Sequence, residues 1–132
     1  GCSVLAMNPP YRVGIAAYGL GSSVAVAARS TGVALCGDFA LLHSGLNALV
    51  DAREKHLPLL CIVLSNKRLG MTGGQPGYDP VPYLGWARPV VIPADHPDLS
   101  RHIRKGRGTR TVIVEGTCPE GETYETVACG NL

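Results

Sequence analysis

The chain alternates between uninterrupted apolar runs and stretches in which apolar residues recur at helical spacing. Two runs, at 33–36 (VALC) and 59–65 (LLCIVLS), have the length of strands. Between them, the apolar residues of 41–55 recur every three or four positions, which predicts a helix. A continuous apolar run is typical of a strand buried on both faces, as in a parallel sheet. The middle of the chain is therefore predicted to be strand, helix, strand.

The same patterns continue on both sides of this unit. The small residues of 21–30 predict a short helix, and the many Gly and Pro residues of 66–86 predict a long loop. Apolar runs at 89–92 and 111–115 predict two further strands, separated by a helix over 97–105.

The order of these elements decides the fold class. Strands that alternate with helices predict an α/β fold with a mostly parallel sheet and helices on both faces. Two residues are candidates for the N-terminal cap of the later helix, Asp95 and Asp98, and the sequence does not decide between them. At 132 residues the chain is expected to form a single domain over 1–132, as part of a larger enzyme or complex.

Composition and charge exclude several function classes. With 45% apolar and 17% charged residues, the chain is predicted to be folded. A formal net charge of +2 is too small to predict a nucleic-acid surface, and no apolar stretch is long enough to predict a membrane segment. One basic cluster is predicted to be a solvated helix end and loop, with a partner or phosphate contact as the alternative. It comprises Arg101, Arg104, Lys105, Arg107 and Arg110.

The cysteines indicate the compartment. Five cysteines without a C-x-x-C spacing fit a reducing environment better than a disulfide framework, so we expect a cytoplasmic protein. Cys36 and Cys61 lie inside apolar runs and are predicted to be buried thiols.

Two polar residues follow the two central strands and are candidates for metal binding. Asp38 and Asn66 stand just beyond apolar runs, at the carboxyl edge where ligands bind in open parallel sheets. Carboxylate and amide oxygens suit Mg²⁺, which is usually completed by water and ligand phosphates. Gly70, Gly73 and Gly74 follow and would let backbone N–H groups approach a phosphate.

A structural interpretation of the same residues stays open. Asp after a strand often caps a helix, and Asn often begins a turn. No P-loop motif is present, and Gly19-Leu20-Gly21 is not a dinucleotide fingerprint because Val24 stands where its third Gly would be.

Longer motifs carry a resemblance to a known family. Gly37-Asp38-Phe39 followed by Asn66 resembles the GDG…N signature of thiamine-diphosphate enzymes. The run from Gly70 to Gln75 (GMTGGQ) resembles the thiamine-diphosphate-binding part of 2-oxoacid:ferredoxin oxidoreductases. His43-Ser44-Gly45 narrows the resemblance to the large subunits of indolepyruvate ferredoxin oxidoreductases.

The resemblance implies a set of cofactor contacts. Mg²⁺ would be held by the side chains of Asp38 and Asn66 and by the backbone carbonyl of Arg68. Gly70, Met71 and Thr72 would lie along the diphosphate.

The remaining contacts implied by the resemblance surround the rings of the cofactor. Leu20, between Gly19 and Gly21, would hold thiamine diphosphate in its bent form, with the backbone near Tyr18 and Gly19 accepting a hydrogen bond from its amine. Gly37 and Phe39 would flank the diphosphate.

His43 is the candidate catalytic residue, because the resemblance would place it against the thiazolium ring and the substrate. A histidine at the start of a helix that bonds only locally is the alternative. Gln75 would border the substrate pocket or serve the turn.

The implied activity is oxidative decarboxylation of a 2-oxoacid, such as an indole- or arylpyruvate, through a carbanion on the cofactor. In the superfamily, the Glu that protonates the aminopyrimidine lies in a separate pyrimidine-binding domain. We therefore expect a partner domain or chain, an iron–sulfur electron acceptor on another chain, and a homo- or hetero-oligomer.

Three residues depart from the family pattern. Phe39 stands where Gly or Ser is usual, Ala40 stands where a hydroxyl often contacts phosphate, and Ser65 stands where Asn or Asp is expected. Two other functions stay open: a non-redox 2-oxoacid decarboxylase that uses the same cofactor, and a non-catalytic subunit that has kept the fold.

Overall fold

The structure, a computed structural model, describes residues 6–117. Its strands are β1 (Val33–Gly37), β2 (Leu60–Ser65), β3 (Arg68–Leu69), β4 (Gln75–Pro76), β5 (Val90–Pro93) and β6 (Arg110–Glu115). Four of them form one sheet in the order β1-β2-β6-β5, and every neighbouring pair is parallel. β3 and β4 form a separate antiparallel hairpin. The predicted α/β class with a mostly parallel sheet is confirmed.

Four α-helical segments accompany the sheet. They are α1 (Ser22–Ala28), α2 (Asp38–Ala40), α3 (Leu46–Glu54) and α4 (Leu99–His102). A π-helical segment, Leu41–Gly45, joins α2 to α3, so the helix after β1 continues from Asp38 to Glu54. The predicted start at 41 was therefore wrong, because the helix begins directly at the end of the strand. None of the helices within 6–117 is long and apolar enough to cross a membrane.

The sheet buries both of its faces, which explains the continuous apolar runs. Cys61, Val63 and Ile113 face a core that includes residues of α1 and α3. The residues that alternate with them along the strands, such as Leu60 and Val112, face a smaller core around α4. Side chains of a strand alternate between faces, so an uninterrupted apolar run is what two covered faces require.

The later helix is shorter than predicted. Only Leu99–His102 is helical, where 97–105 was expected. Asp98 occupies the cap position, but its side chain makes no capping hydrogen bond and pairs with Arg101 at 3.5 Å. The first N–H groups of the helix thus lack the side-chain acceptor that would favour a longer helix.

Most of the other expectations from the sequence are met within the described residues. Cys36 and Cys61 are buried free thiols, and the Cys36 thiol together with burial raises the pKa of Cys61 well above its usual range. In the basic cluster, Arg101, Arg104, Lys105 and Arg107 are exposed, as predicted for a solvated helix end and loop. The prediction was wrong for Arg110, which is half-buried at the start of β6 and donates to the Arg104 carbonyl at 2.7 Å. The Lys105 ammonium also donates to the Thr31 carbonyl at 2.8 Å.

A close backbone approach fixes α1 against the helix that follows β1. Gly21 has a φ of 82°, and a Cβ there would lie 2.4 Å from the Ala40 carbonyl oxygen and 2.5 Å from the Gly45 nitrogen. A Cβ on Gly45 would in turn lie 3.3 Å from the Gly21 carbonyl oxygen. Only glycine fits at Gly21, both for its backbone conformation and for the space.

We predict that Gly21→Ala lowers the free energy of unfolding by about 3 kcal/mol or more, the combined cost of left-handed strain and backbone overlap. Gly19→Ala is the matched control, because no atom lies within 4 Å of a Cβ built there. It should change stability by less than about 1 kcal/mol. Urea unfolding of the two variants checks this, and equal losses would contradict the close-approach explanation.

Candidate functional site

A buried carboxylate connects the carboxyl ends of β1 and β2. Asp38 follows β1 directly, begins α2 and is only 3% exposed. Its Oδ1 accepts the N–H of Phe39 at 2.7 Å. Its Oδ2 accepts the N–H groups of Asn66 (3.1 Å) and Lys67 (2.9 Å) and the hydroxyl of Ser65 (3.3 Å). An anion buried this deeply requires such donors, and here the end of β2 supplies three of the four.

The structure therefore brings Asp38 and Asn66 together, as the sequence pattern predicts. β1 and β2 are neighbours with Gly37 opposite Leu64, so the residues that follow them meet at one edge. Of the two structural roles foreseen, the structure shows the turn role of Asn66 and not the cap role of Asp38, because Gly37 is the cap residue and no side chain caps this helix. Asp38 accepts the N–H of the next residue, Phe39, and the Asn66 side-chain oxygen accepts the N–H of Arg68 at 3.1 Å, which is a local turn bond.

The oxygen atoms at this edge fit a hard cation. A carboxylate oxygen and an amide oxygen each have two lone pairs, and Oδ1 of Asp38 and Oδ1 of Asn66 each accept one hydrogen bond within the described residues. Residues 6–117 contain no group of three or more His, Cys, Asp or Glu side chains that could hold a metal ion. A cation here would thus need backbone, water or phosphate oxygens as well, which is usual for Mg²⁺.

The glycine-rich stretch after Asn66 forms a compact hairpin. Gly73 and Gly74 have φ values of 115° and 72°, which turn the chain between β3 and β4. Gly70 and Thr72 belong to a 3₁₀ turn, Gly70–Thr72, that also contains the backbone of Met71.

Thr72 and Gln75 bond to each other across the hairpin. The Thr72 hydroxyl donates to Gln75 Oε1 at 3.1 Å, and Gln75 Nε2 donates to the Thr72 carbonyl at 2.8 Å. Gln75 therefore serves the turn, one of the two roles foreseen for it. Arg68, the third residue of the implied metal set, has its guanidinium 3.3 Å from the Gly74 carbonyl oxygen.

The turn before α1 is held by two serine hydroxyls. Ser22 donates to the Gly19 carbonyl at 2.6 Å, and Ser44, in the π-helical segment, donates to the Leu20 carbonyl. The Gly19 oxygen also accepts the N–H of Ser22, so both of its lone pairs are in use. Leu20 is half-buried and packs at the edge of the core formed with α1 and α3.

Phe39 and His43 form an aromatic pair at the start of the helix. Their ring centroids are 6.0 Å apart with the planes inclined by 45°. Phe39 is half-buried and His43 is exposed, on the five-residue π-helical segment. Within residues 6–117 the imidazole makes a ring contact in place of the local hydrogen bond considered as an alternative.

Three contributors to this edge were not foreseen from the sequence. Ser65 and Lys67 donate to Asp38, and Ser44 fixes the carbonyl of Leu20. A hydroxyl at the end of an apolar strand was the available signal for Ser65. Lys67 contributes its backbone N–H from a left-handed conformation with a φ of 56°, and its residue type gives no hint of that role.

Comparison with known proteins defines the class to which this edge belongs. Residues 2–108 match the family described as "Thiamine pyrophosphate enzyme, C-terminal TPP binding domain". The match covers more than half of the chain and includes the Asp38–Asn66 edge, the hairpin and the turn before α1. The chain belongs to this family.

The chain is also similar to part of several curated proteins. It is 31% identical over 98 residues to indolepyruvate oxidoreductase subunit IorA of Methanothermobacter marburgensis, covering 69% of this chain and 16% of that subunit. The same subunit of Pyrococcus horikoshii is 28% identical over 149 aligned positions, covering 96% of this chain and 22% of the subunit. The chain thus spans about a fifth or less of the length of these two relatives.

We predict that Asp38→Asn lowers the free energy of unfolding by about 2–3 kcal/mol. The side-chain NH₂ group of asparagine would face the buried groups that now donate hydrogen bonds to the carboxylate, and these donors would be left unpaired. Ser65→Ala is the matched control. It removes one long hydrogen bond from the same carboxylate and should cost about 1 kcal/mol or less. Chemical denaturation measures the free energy of unfolding of both variants. An unchanged stability of Asp38→Asn would show that the carboxylate does not organise this edge.

Proposed function

We propose that this chain is the cofactor-binding part of a thiamine-diphosphate-dependent 2-oxoacid oxidoreductase, with an indole- or arylpyruvate as substrate and ferredoxin as electron acceptor. Membership in the thiamine pyrophosphate enzyme family and the relatives named indolepyruvate oxidoreductase support it. The observation that carries the proposal is the junction of Asp38 with Asn66 at the carboxyl edge, next to a glycine-rich hairpin.

In this proposal Mg²⁺ is held by Asp38, Asn66 and the backbone carbonyl of Arg68. The free lone pairs on the two side-chain oxygens and the hard character of all three ligands support it. The hairpin backbone at Gly70–Thr72 would lie along the diphosphate, where its N–H groups can neutralise charge. This ligand set combines one anionic side chain with two neutral oxygens and so carries a single negative charge. The diphosphate would supply the further negative charge that balances Mg²⁺.

The turn at Gly19, Leu20 and Gly21 would support the rings of the cofactor. When bound, thiamine diphosphate supplies the carbon nucleophile and the electron sink for decarboxylation, and the protein supplies orientation. The hydrogen bond from Ser44 fixes the Leu20 carbonyl, which keeps this turn in register with the helix that begins at Asp38. Orientation of this kind lowers the barrier by positioning the reacting groups before the reaction.

The walls of the site would come from Gly37, Phe39 and His43. His43 is exposed at the edge of the sheet that carries Asp38, and its ring contacts that of Phe39. From there the imidazole would face the substrate and hold or transfer a proton at one ring nitrogen. We place His43 in the catalytic role on this basis.

A non-catalytic subunit that has kept the fold is the second candidate. Phe39 and Ala40 favour it, because they replace a small residue and a hydroxyl at the position expected beside the diphosphate. Cofactor binding separates the two functions, since a non-catalytic subunit that has lost the site would not bind the cofactor.

A complete site would also need a partner. In the proposal a pyrimidine-binding domain or chain supplies the Glu that protonates the cofactor, and another chain carries an iron–sulfur electron acceptor in the cytoplasm. The segment just before Gly19 offers a surface for the pyrimidine-binding domain. Its apolar side chains are strongly exposed: Tyr11 (71%), Val13 (69%), Ile15 (82%) and Tyr18 (70%). Exposed apolar groups clustered in this way mark interaction sites.

We predict that the assembled protein binds thiamine diphosphate only with Mg²⁺ and that Asn66→Ala weakens binding about tenfold or more, equivalent to about 1.4 kcal/mol. Lys67→Ala is the matched control, because it alters the neighbouring side chain and leaves the proposed ligands intact. Isothermal titration calorimetry measures both. Equal affinity with and without Mg²⁺, or in both variants, would contradict the metal site.

The same titration distinguishes the two candidate functions. Binding of thiamine diphosphate by the wild-type assembly supports the enzyme and excludes a subunit that has lost the site. If the wild-type assembly does not bind and Phe39→Ser does, bulk beside the diphosphate has impaired the site, and the non-catalytic subunit is the better description.

We further predict that the double variant Val13→Ser, Ile15→Ser weakens association with the pyrimidine-binding partner or between protomers while circular dichroism stays unchanged. Both side chains are exposed in this structure, so the fold should tolerate them as serine. Val50→Ser, which alters a 41% exposed valine on α3, is the control. Light scattering reports the assembly state, and an unchanged mass for the double variant would refute this interface.

A further inference from the structure

A polar cavity lies at the edge of the sheet opposite Asp38. Its volume is ≈ 330 Å³, and its lining is Arg53, Trp86, Ala87, Arg88, Thr109 and Thr111. Thr111 stands near the start of β6, at the amino edge of the parallel sheet. Arg53 stands in the last turn of α3, whose helix begins at the carboxyl edge and runs back along the sheet. The cavity is therefore separate from the Asp38 edge.

Two guanidinium groups give this cavity its charge. Cζ of Arg53 lies 5.1 Å from the centroid of the Trp86 ring, so stacking holds this cation in place. Neither Arg53 nor Arg88 forms an ion pair within residues 6–117. Asp51, two residues before Arg53, is engaged by other cations: it binds Arg29 and Lys55, and these contacts lower its pKa.

A buried hydroxyl completes the set of donors. Thr111 is 3% exposed, and its Oγ1 has no hydrogen-bond partner within the described residues. Buried hydroxyls without a partner are uncommon in folded proteins. The neighbouring Thr109 hydroxyl donates to the Leu57 carbonyl at 3.0 Å, which leaves Thr111 as the free hydroxyl donor in the lining.

Backbone strain coincides with the cavity. Arg88 has φ 46° and ψ 61°, the left-handed region, which non-glycine residues rarely adopt without a compensating role. The preceding 3₁₀ turn, Gly85–Ala87, carries Trp86, and the indole N–H donates to the Tyr83 carbonyl at 2.9 Å. The aromatic wall is thus fixed, and Arg88 lines the cavity in a backbone conformation that costs energy.

We propose that this cavity binds the phosphate group of a small molecule. Two cations without anionic partners match the double negative charge of a phosphate, and guanidinium groups suit its oxygens geometrically. The Thr111 hydroxyl can rotate and donate to a third oxygen. No carboxylate is among the lining residues, so nothing in the lining repels an anion.

The test uses the full protein in its natural assembly, titrated with inorganic phosphate at constant ionic strength. Trp86 lines the cavity and is the only tryptophan of the 132 residues, so its fluorescence should change saturably. A Trp86→Phe variant identifies any signal from tryptophans elsewhere in the assembly. No saturable change at Trp86 would overturn the proposal, and so would saturation by acetate without saturation by phosphate.

Two variants separate binding from folding. Arg88→Gly suits the left-handed backbone, so it should fold normally and lose at least tenfold in phosphate affinity. Thr111→Val removes an unpaired hydroxyl at nearly constant volume, so its melting temperature should hold or rise while affinity falls several-fold. Arg101→Gln, on α4, is the control for loss of one positive charge. Unchanged phosphate affinity in both Arg88→Gly and Thr111→Val would overturn the proposal.

A third variant distinguishes phosphate binding in the cavity from phosphate binding at the carboxyl edge. Asn66→Ala should leave the phosphate response at Trp86 unchanged, because Asn66 and Thr111 lie at opposite edges of the sheet. If Asn66→Ala abolishes that response, phosphate is binding at the carboxyl edge, and the cavity proposal is wrong.

Discussion

The carboxylate of Asp38 is the constraint on which this edge of the protein depends. It is buried with its charge at a point where the ends of two strands and the start of a helix meet, and a buried charge is stable only when polar groups surround it. Its donors are the N–H of Phe39 and three groups at the end of β2. The successive N–H groups of Asn66 and Lys67 converge on one oxygen atom, which accounts for the left-handed conformation of Lys67.

The rest of the candidate site is positioned through the helix that Asp38 begins. His43 lies in its π-helical segment, and Ser44 from the same segment holds the Leu20 carbonyl. Gly21 meets the backbone of this helix at a distance that excludes any side chain. π-Helical turns are rare and are often found at functional sites. One carboxylate thus positions the strand ends directly and the turn before α1 through one helix.

Much of the fold could be predicted from the sequence, because strands covered on both faces leave a plain signal. The apolar runs at 33–36 and 59–65 correspond to β1 and β2, and the order of elements places these strands side by side. The proximity of Asp38 and Asn66 follows from that pairing alone. The identity of a cofactor did not follow from geometry, since Asp38 and Asn66 also make purely structural hydrogen bonds to nearby backbone N–H groups. Naming the cofactor required the resemblance.

The features that could not be predicted depend on individual hydrogen bonds and ion pairs, which the residue types alone do not determine. The π-helical segment LLHSG has the same apolar spacing as an α-helix, so periodicity cannot reveal it. The sequence also does not show whether the Asp98 side chain caps α4 or pairs with Arg101, because both are compatible with the residue type. Backbone donors such as the N–H of Lys67 carry no residue signature at all.

The hydrogen bonds around Asp38 show what the unusual residue beside it, Phe39, can and cannot affect. Phe39 binds Asp38 through its backbone N–H, a bond that every residue except proline can make. Its ring contacts His43, one helical turn further along. A bulky residue at this position therefore leaves the anchoring of the carboxylate intact and changes only the wall of the site. For this reason the departure from Gly or Ser at Phe39 concerns how much space remains for a ligand, and the arrangement of the proposed metal ligands is independent of it.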